Sequence, residues 1–455
     1  MESTPSSPVF SPLRVSDAPV VSSPQASIFS ARLTIRPALW VTALALAATV
    51  LKIAIALNTF GTNDVAAFYT FSRSLADHGL EWTYQNGVIW FSARKSNILP
   101  IFNHPPLTAY YLQFIGYLSR QGIFQSCGLT FPFLLRLPGI VADFIVVLVL
   151  VRLSKRDARF RIPVWALALF AISPVSVMVS GFHGNTDPVV VMFLVLAAYM
   201  CLRERPVLCG IFFALSCQIK VVPLLLLPII FCFWLGRGAA MRFTIPFVLL
   251  CVTMWAQPLI KFPMLFLKNV LSYGSFWGGW GISYWLRLTR WQQFNGRPFD
   301  LPSAAAATAL LLELGIIAAV LMIAWRRRYL PGRGVIDSLA YAWIIFFVFS
   351  PGISVQYMVW LAPFILILSP SLYAWLVVSS SVFLFFFYNI TAGGWPWYIA
   401  ISTNKLDALN LWTPWSLWPW ATLILGMILL WQKAAANDPS LRLFSFQTLR
   451  AEAGE

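Results

Sequence analysis

The 455-residue chain is 59% hydrophobic and 11% charged, with a mean hydropathy of +0.75, whereas soluble domains average about 45–50% apolar and about 25% charged residues. This excludes a soluble enzyme and leaves room for a dozen apolar helices of about 20 residues. The formal charge of +16 does not make nucleic acid a partner, because no basic run alternates with aromatics and cytoplasmic membrane loops carry such an excess of Lys and Arg.

Residues 1–35 are rich in Ser and Pro and lack a helical apolar period, so they read as a disordered cytoplasmic tail. The first apolar run, Ala38–Leu57, is too long for a signal peptide and reads as the first span. Further runs lie near 106–119, 131–152, 162–180, 188–203, 206–219, 221–236, 243–260, 303–325, 335–350, 354–368, 370–388 and 416–432. If all of them crossed, the basic loop from Arg152 through Lys155, Arg156 and Arg159 to Arg161 would lie outside, against the positive-inside tendency. The run 106–119 is short and holds Thr108, Tyr110, Tyr111, Gln113, Tyr117 and Ser119, the composition of an amphipathic helix lying in the interface.

Without that run, twelve spans remain (range 11–13), both termini are cytoplasmic, and 19 of the 32 basic residues fall on the cytoplasmic side. The expected fold is an all-α polytopic membrane protein whose first external loop contains interfacial helices. Its parts are a cytoplasmic tail (1–35), a membrane module (36–260) with external loop 58–130, a second module (261–432) with external loops 261–302 and 389–415, and a cytoplasmic tail (433–455). Cytoplasmic loops are short, so the chemistry is expected outside. Cys127 stands alone in a loop and the other five cysteines lie in apolar stretches, with no disulfide or zinc spacing.

Candidate residues follow the same order. Asp64 stands just past the outer end of the first span, where a carboxylate can act as a base, hold a metal or position a hydroxyl; Asn63 or Asp64 could equally be a helix cap. In Asn103-His104-Pro105-Pro106 the prolines start a helix and present His104 at its amino end, favourable for an anion, unless the segment is simply an ordered turn. Arg136 and Asp143 share a face of the second span but lie two turns apart, so each is expected to meet a partner on another span. His183, Asn185 and Asp187 crowd between two apolar spans, a costly arrangement unless they line a site. Capping by Thr186 or Asp187 accounts for only part of that cluster. Lys220 at the outer boundary could bind phosphate or merely snorkel. Arg287, Arg290 and Arg297 lie among Trp277, Trp280, Tyr284, Trp285 and Trp291, which could be a lipid-facing belt or a grip on a lipid phosphate, and tryptophans recur from Trp395 to Trp420.

Four stretches, Pro105-Pro106-Leu107-Thr108-Ala109-Tyr110, Arg136 to Asp143, His183-Gly184-Asn185-Thr186-Asp187 and Gln218-Ile219-Lys220-Val221-Val222-Pro223, stand in the order found in GT-C class membrane glycosyltransferases. Over about residues 38–370 the chain resembles the ER glucosyltransferases that build lipid-linked oligosaccharides, and bacterial proteins similar to the second mannosyltransferase of GPI-anchor synthesis. The resemblance implies a hexosyltransferase that uses a polyprenyl-phosphate-linked sugar, sits among membrane lipids and delivers to a glycan, lipid or protein acceptor at the external face. Asp64 occupies the place of the catalytic carboxylate, and Lys220, Arg136 and the arginines at 287–297 are candidates for holding the phosphate. The ER enzymes carry Val-His-Glu-Lys where this chain reads Val355-Gln356-Tyr357-Met358, so Gln356 stands for the donor-side histidine and glucose specificity is not carried over.

No cofactor is required on this reading; a divalent metal stays open, since Asp64, His104, His183 and Asp187 would form a site if they converged. A bacterial plasma membrane is the expected location, or the ER membrane in a eukaryote. A secondary transporter is the main alternative, although the two halves show no similarity and the polar residues cluster at outer span ends. An envelope polysaccharide polymerase or ligase is the nearer one.

Overall fold

A computed structural model describes residues 35–87, 102–157, 160–271, 278–289, 303–391 and 409–437, and all regular structure among them is helical. In chain order the helices are α1 (Ile35–Asn58), α2 (Asn63–Asn86), α3 (Pro106–Leu118), α4 (Gly122–Ser126), α5 (Phe131–Arg156), α6 (Val164–His183), α7 (Asp187–Leu202), α8 (Pro206–Ile219) and α9 (Val222–Leu235). They continue with α10 (Ala240–Lys261), α11 (Pro263–Phe266), α12 (Gly281–Thr289), α13 (Ser303–Arg326), α14 (Gly332–Phe349), α15 (Val355–Leu368), α16 (Pro370–Thr391) and α17 (Thr413–Gln432). Eight of these are long and apolar enough to cross a membrane, and four shorter apolar helices, α7, α8, α9 and α15, complete a set of twelve among the described residues. The chain is an integral membrane protein. The run 106–119 forms α3, only 13 residues long and outside that set.

The four short helices share a geometry. Each is 14 to 16 residues long, which at 1.5 Å per residue spans about 21–24 Å, less than the roughly 30 Å of a hydrocarbon core. α7 and α8 meet at Arg203-Glu204-Arg205 and α9 runs into Arg237, so the basic loops anchor one end. Their other ends include Asp187, Ile219 and Val222, and Asp187 and Lys220 meet there.

Two hydrophobic cores divide the molecule. The larger runs between the spans, through Leu150, Val179, Leu194, Phe213, Trp343 and Leu384. Lipid tails are as apolar as those side chains, so close packing and polar contacts hold the spans together more than hydrophobic burial does. The smaller core joins α2, α3, the start of α5 and α11 through Val65, Phe68, Phe71, Tyr84, Phe102, Leu112 and Phe266. This core packs α2 and α3 onto the ends of the spans α1 and α5.

Polar contacts inside the bundle fix α1, α5 and α6 against one another. Lys52 Nζ donates to Asp143 Oδ2 at 2.7 Å and lies 2.6 Å from Ser176 Oγ. Ser176 and Ser180 also donate to Asp143, so the buried pair is satisfied on both sides. Arg136, 1% exposed, donates to the carbonyls of Ala56 and Thr59 at the end of α1, of Gly181 and Phe182 in α6, and of Pro132 in α5. Its charge is matched by the negative ends of two helices. Arg136 and Asp143 therefore do find partners on other spans, and the Arg136 donors go almost wholly to backbone carbonyls.

Candidate active site

The site begins with a tight approach of two chain segments. Thr62 is the N-cap of α2: its Oγ1 accepts from Asp64 N at 3.4 Å while its own hydroxyl and amide donate to His183 O at 2.8 and 3.2 Å. Capping thus falls to Thr62, and the Asp64 side chain is released from that duty. Gly61 (φ +101°) and Gly184 (φ +81°) face the same methyl of Val65, and a Cβ on Gly184 would come within 2.2 Å of it. Glycine is required at both, sterically and for the positive φ.

His183 ends a π-helical turn, Val177–His183, at the top of α6. Such a turn carries an extra residue and redirects the side chains that follow. Here it aims His183 Nε2 at Asp64 Oδ2, 3.0 Å away. Asn185 Nδ2 donates to the same oxygen at 2.7 Å, and the Asn185 amide is oriented by accepting from Thr186 N at 2.6 Å. Behind the imidazole, the Tyr388 hydroxyl of α16 lies 2.9 Å from Nδ1. Among the described residues, Asp64 Oδ1 has no hydrogen-bond partner, and the Asp64 side chain keeps 39% exposure.

Burial by itself would raise the Asp64 carboxyl, but the His183 and Lys220 charges and the bonds from His183 and Asn185 outweigh it and hold the pKa at about 2. Asp64 is a carboxylate at any physiological pH. The first turn of α2 adds the favourable end of its helix dipole.

At these helix ends, the first residue of α7 meets the residue after α8. Lys220 Nζ lies 2.9 and 3.1 Å from the two Asp187 oxygens, and Trp360 Nε1 donates to Asp187 Oδ1 at 2.6 Å. The ammonium also sits 4.9 Å from the centre of the Tyr357 ring, which stacks on Trp360 at 3.8 Å. Gln356, buried, shares that first turn of α15. His104 packs beside Phe68 and Phe102 with Nδ1 3.5 Å from Ile219 O. Burial and the Lys220 ammonium keep its imidazole neutral, with a pKa lowered to about 3.

Asp64, His104, His183, Asn185, Asp187, Lys220 and Tyr357 thus come together from segments far apart in sequence. Arg287 is buried on α12, donating to Thr413 Oγ1 at 2.8 Å beside Tyr284, so it ties α12 to α17. Trp280 and Tyr284 are buried too, and only Trp285 of that described stretch has the exposure of a lipid-facing belt. Arg290 lies outside the described residues. Among the described residues no three His, Cys, Asp or Glu side chains converge, so the four metal-ligand candidates do not make one site. Tyr388 and Trp360 are the additions: both sit in aromatic-rich runs where a single ring that reaches a polar group gives no separate signal.

The arrangement offers a carboxylate with one oxygen restrained and one open, beside a cation anchored by a buried acid. Residues 102–351, more than half of the chain, match the family model of glycosyltransferase family 87. No curated protein matches the chain.

Proposed function

As the chain belongs to glycosyltransferase family 87, we propose that it moves a hexose from a polyprenyl-phosphate-linked donor to a hydroxyl of a glycan, lipid or protein at the external membrane face, with Asp64 as the base. The observation that carries this reading is the division of labour on Asp64, with Oδ2 held by His183 and Asn185 and Oδ1 open. The acceptor hydroxyl gives its proton to Oδ1 as its oxygen attacks the anomeric carbon. The bond from that carbon to the phosphate oxygen breaks with inversion, and the electron pair leaves on the polyprenyl phosphate.

The departing phosphate gains charge and needs a preorganised cation. Lys220 acts on the Asp64 charge, and Asp187 with Trp360 fixes where its ammonium points. His104, neutral, suits a hydrogen bond to a sugar hydroxyl.

The test is release of polyprenyl phosphate from a panel of short-chain polyprenyl-phosphate glucose, galactose and mannose. Asp64→Asn is expected to lower transfer by about 10²–10⁴-fold, the range of a lost general base, while donor binding stays close to that of the parent protein. Full activity in that variant overturns the assignment.

A further inference from the structure

With α10, α13 is the span least enclosed by the rest of the protein, only 22% of its most apolar stretch being buried. Ala309, Ile316, Val320 and Ala324 form its buried stripe, and the helices it packs against include α9 and α14. Glu313 lies outside that stripe and is exposed. It stands ten residues, about 15 Å, after Ser303 and thirteen, about 20 Å, before Arg326, well inside the span. A carboxyl facing hydrocarbon at that depth is costly, and ionisable groups within spans turn inward or pair with one another. Asp143 follows that rule, satisfied by Lys52, Ser176 and Ser180. Glu313 has neither a hydrogen bond nor an ion pair among the described residues.

We propose that the Glu313 side of α13 is an interface with a second copy of this chain, in which the two Glu313 carboxyls hydrogen-bond each other across a twofold axis along the membrane normal. The inference is independent of the reaction assigned to Asp64. Leu310, Leu314, Ile317 and Leu321 are all exposed and share one side of the helix with Glu313. They make a ridge that can pack against its own copy. Lipid tails are as apolar as that ridge, so its side chains alone select no partner, whereas a polar group among them does.

The chemistry of that group favours an identical partner. A carboxyl that carries its proton both donates and accepts, so two of them at equal depth satisfy each other. A twofold axis sets each residue of α13 opposite its counterpart without further adjustment. A copy turned to present another face brings no free cation from within its described spans. Lys52 is bonded to Asp143 and Ser176, and Arg136 to the carbonyls of α1, α5 and α6.

Energy transfer between donor-labelled and acceptor-labelled copies of the full chain in phosphatidylcholine vesicles tests this, followed as lipid is added. The parent protein should show transfer above random encounter that falls as its mole fraction drops. Glu313→Leu keeps the ridge and loses the carboxyl. It should raise the mole fraction at half dissociation by about three- to thirtyfold, the range of one polar contact between spans. Glu313→Gln, whose amide also donates and accepts, should stay within about threefold of the parent. Random-encounter transfer by the parent at every dilution overturns the proposal and leaves Glu313 to another partner; so does a Glu313→Leu protein that associates like the parent. At dilutions where the parent is monomeric, Glu313→Leu should not lower the thermal midpoint. A lowered midpoint would give Glu313 a partner in its own chain and overturns the proposal too. Cross-linking checks the face independently of any change at Glu313. In a Cys127→Ser background, Ile317→Cys should give a disulfide-linked dimer with a membrane-permeant oxidant such as iodine. Gly315→Cys, exposed on the other side of the helix with open space around it, should not, and equal cross-linking at both positions counts against the interface.

Discussion

The two oxygens of the Asp64 carboxylate differ in their partners, Oδ2 held by His183 and Asn185 and Oδ1 open, and the effect of those partners is measurable through pH. Against the cost of burial, those partners and the Lys220 charge hold the folded carboxyl at about 2, against about 3.9 in an unfolded chain. A depressed folded pKa contributes stability that is fully present above about pH 4 and is lost as the pH falls through about 2. Asp64→Asn should therefore lower the thermal midpoint of the detergent-solubilised protein at neutral pH, with the gap to the parent narrowing below about pH 4. Asp64 itself should add no acid limb to transfer between about pH 5 and 8, so a limb found there belongs to another group. Lys220 gives a second residue-scale test. Lys220→Met leaves Asp187 charged, buried and unpaired, at a cost of about 3–5 kcal/mol. Adding Asp187→Asn should restore most of the thermal stability while transfer stays lost, if the ammonium holds phosphate. Recovery of activity together with stability would reduce the pair to a strut.

At the scale of helices, Lys52, Asp143, Ser176 and Ser180 stitch α1, α5 and α6. Asp143→Ala should cost about 3–5 kcal/mol by stranding Lys52, whereas Lys52→Leu with Asp143→Leu should be nearly neutral in thermal unfolding. The spans are legible in the sequence because a crossing helix is a matter of length and apolarity, readable without knowing its neighbours. The helix α3 is likewise set apart in the sequence by its tyrosines and its shortness, and at 13 residues it stays outside the twelve. The site is readable only in part. Asp64, His183 and Lys220 announce themselves as charges at span ends, but Arg136 looks the same in sequence and is instead consumed by carbonyls that only the folded helices bring near. Tyr388, in Phe385-Phe386-Phe387-Tyr388, differs from its neighbours by one oxygen, and what that oxygen meets lies on another helix. The capping role of Thr62 is hidden in the same way, since three consecutive residues could each take it.

For the molecule as a whole, sidedness is the property that charge distribution implies and thiol chemistry can check. Cys127 is exposed, and Cys201, Cys209, Cys217 and Cys251 are buried. Cys127 in the native protein should react with membrane-impermeant thiol reagents in oriented cells. In a Cys127→Ser background, Ala158→Cys should react only with permeant ones, and the reverse pattern would turn the molecule over and remove the external site. The four short helices bear on how such an enzyme meets its substrate. A lipid-linked substrate is reached by lateral diffusion within one leaflet, so the concentration that matters for it is a mole fraction in two dimensions. On the proposed donor, diluting a fixed amount of substrate with inert phospholipid should slow transfer although the bulk concentration is unchanged, and doubling the aqueous volume should leave the rate per enzyme as it was.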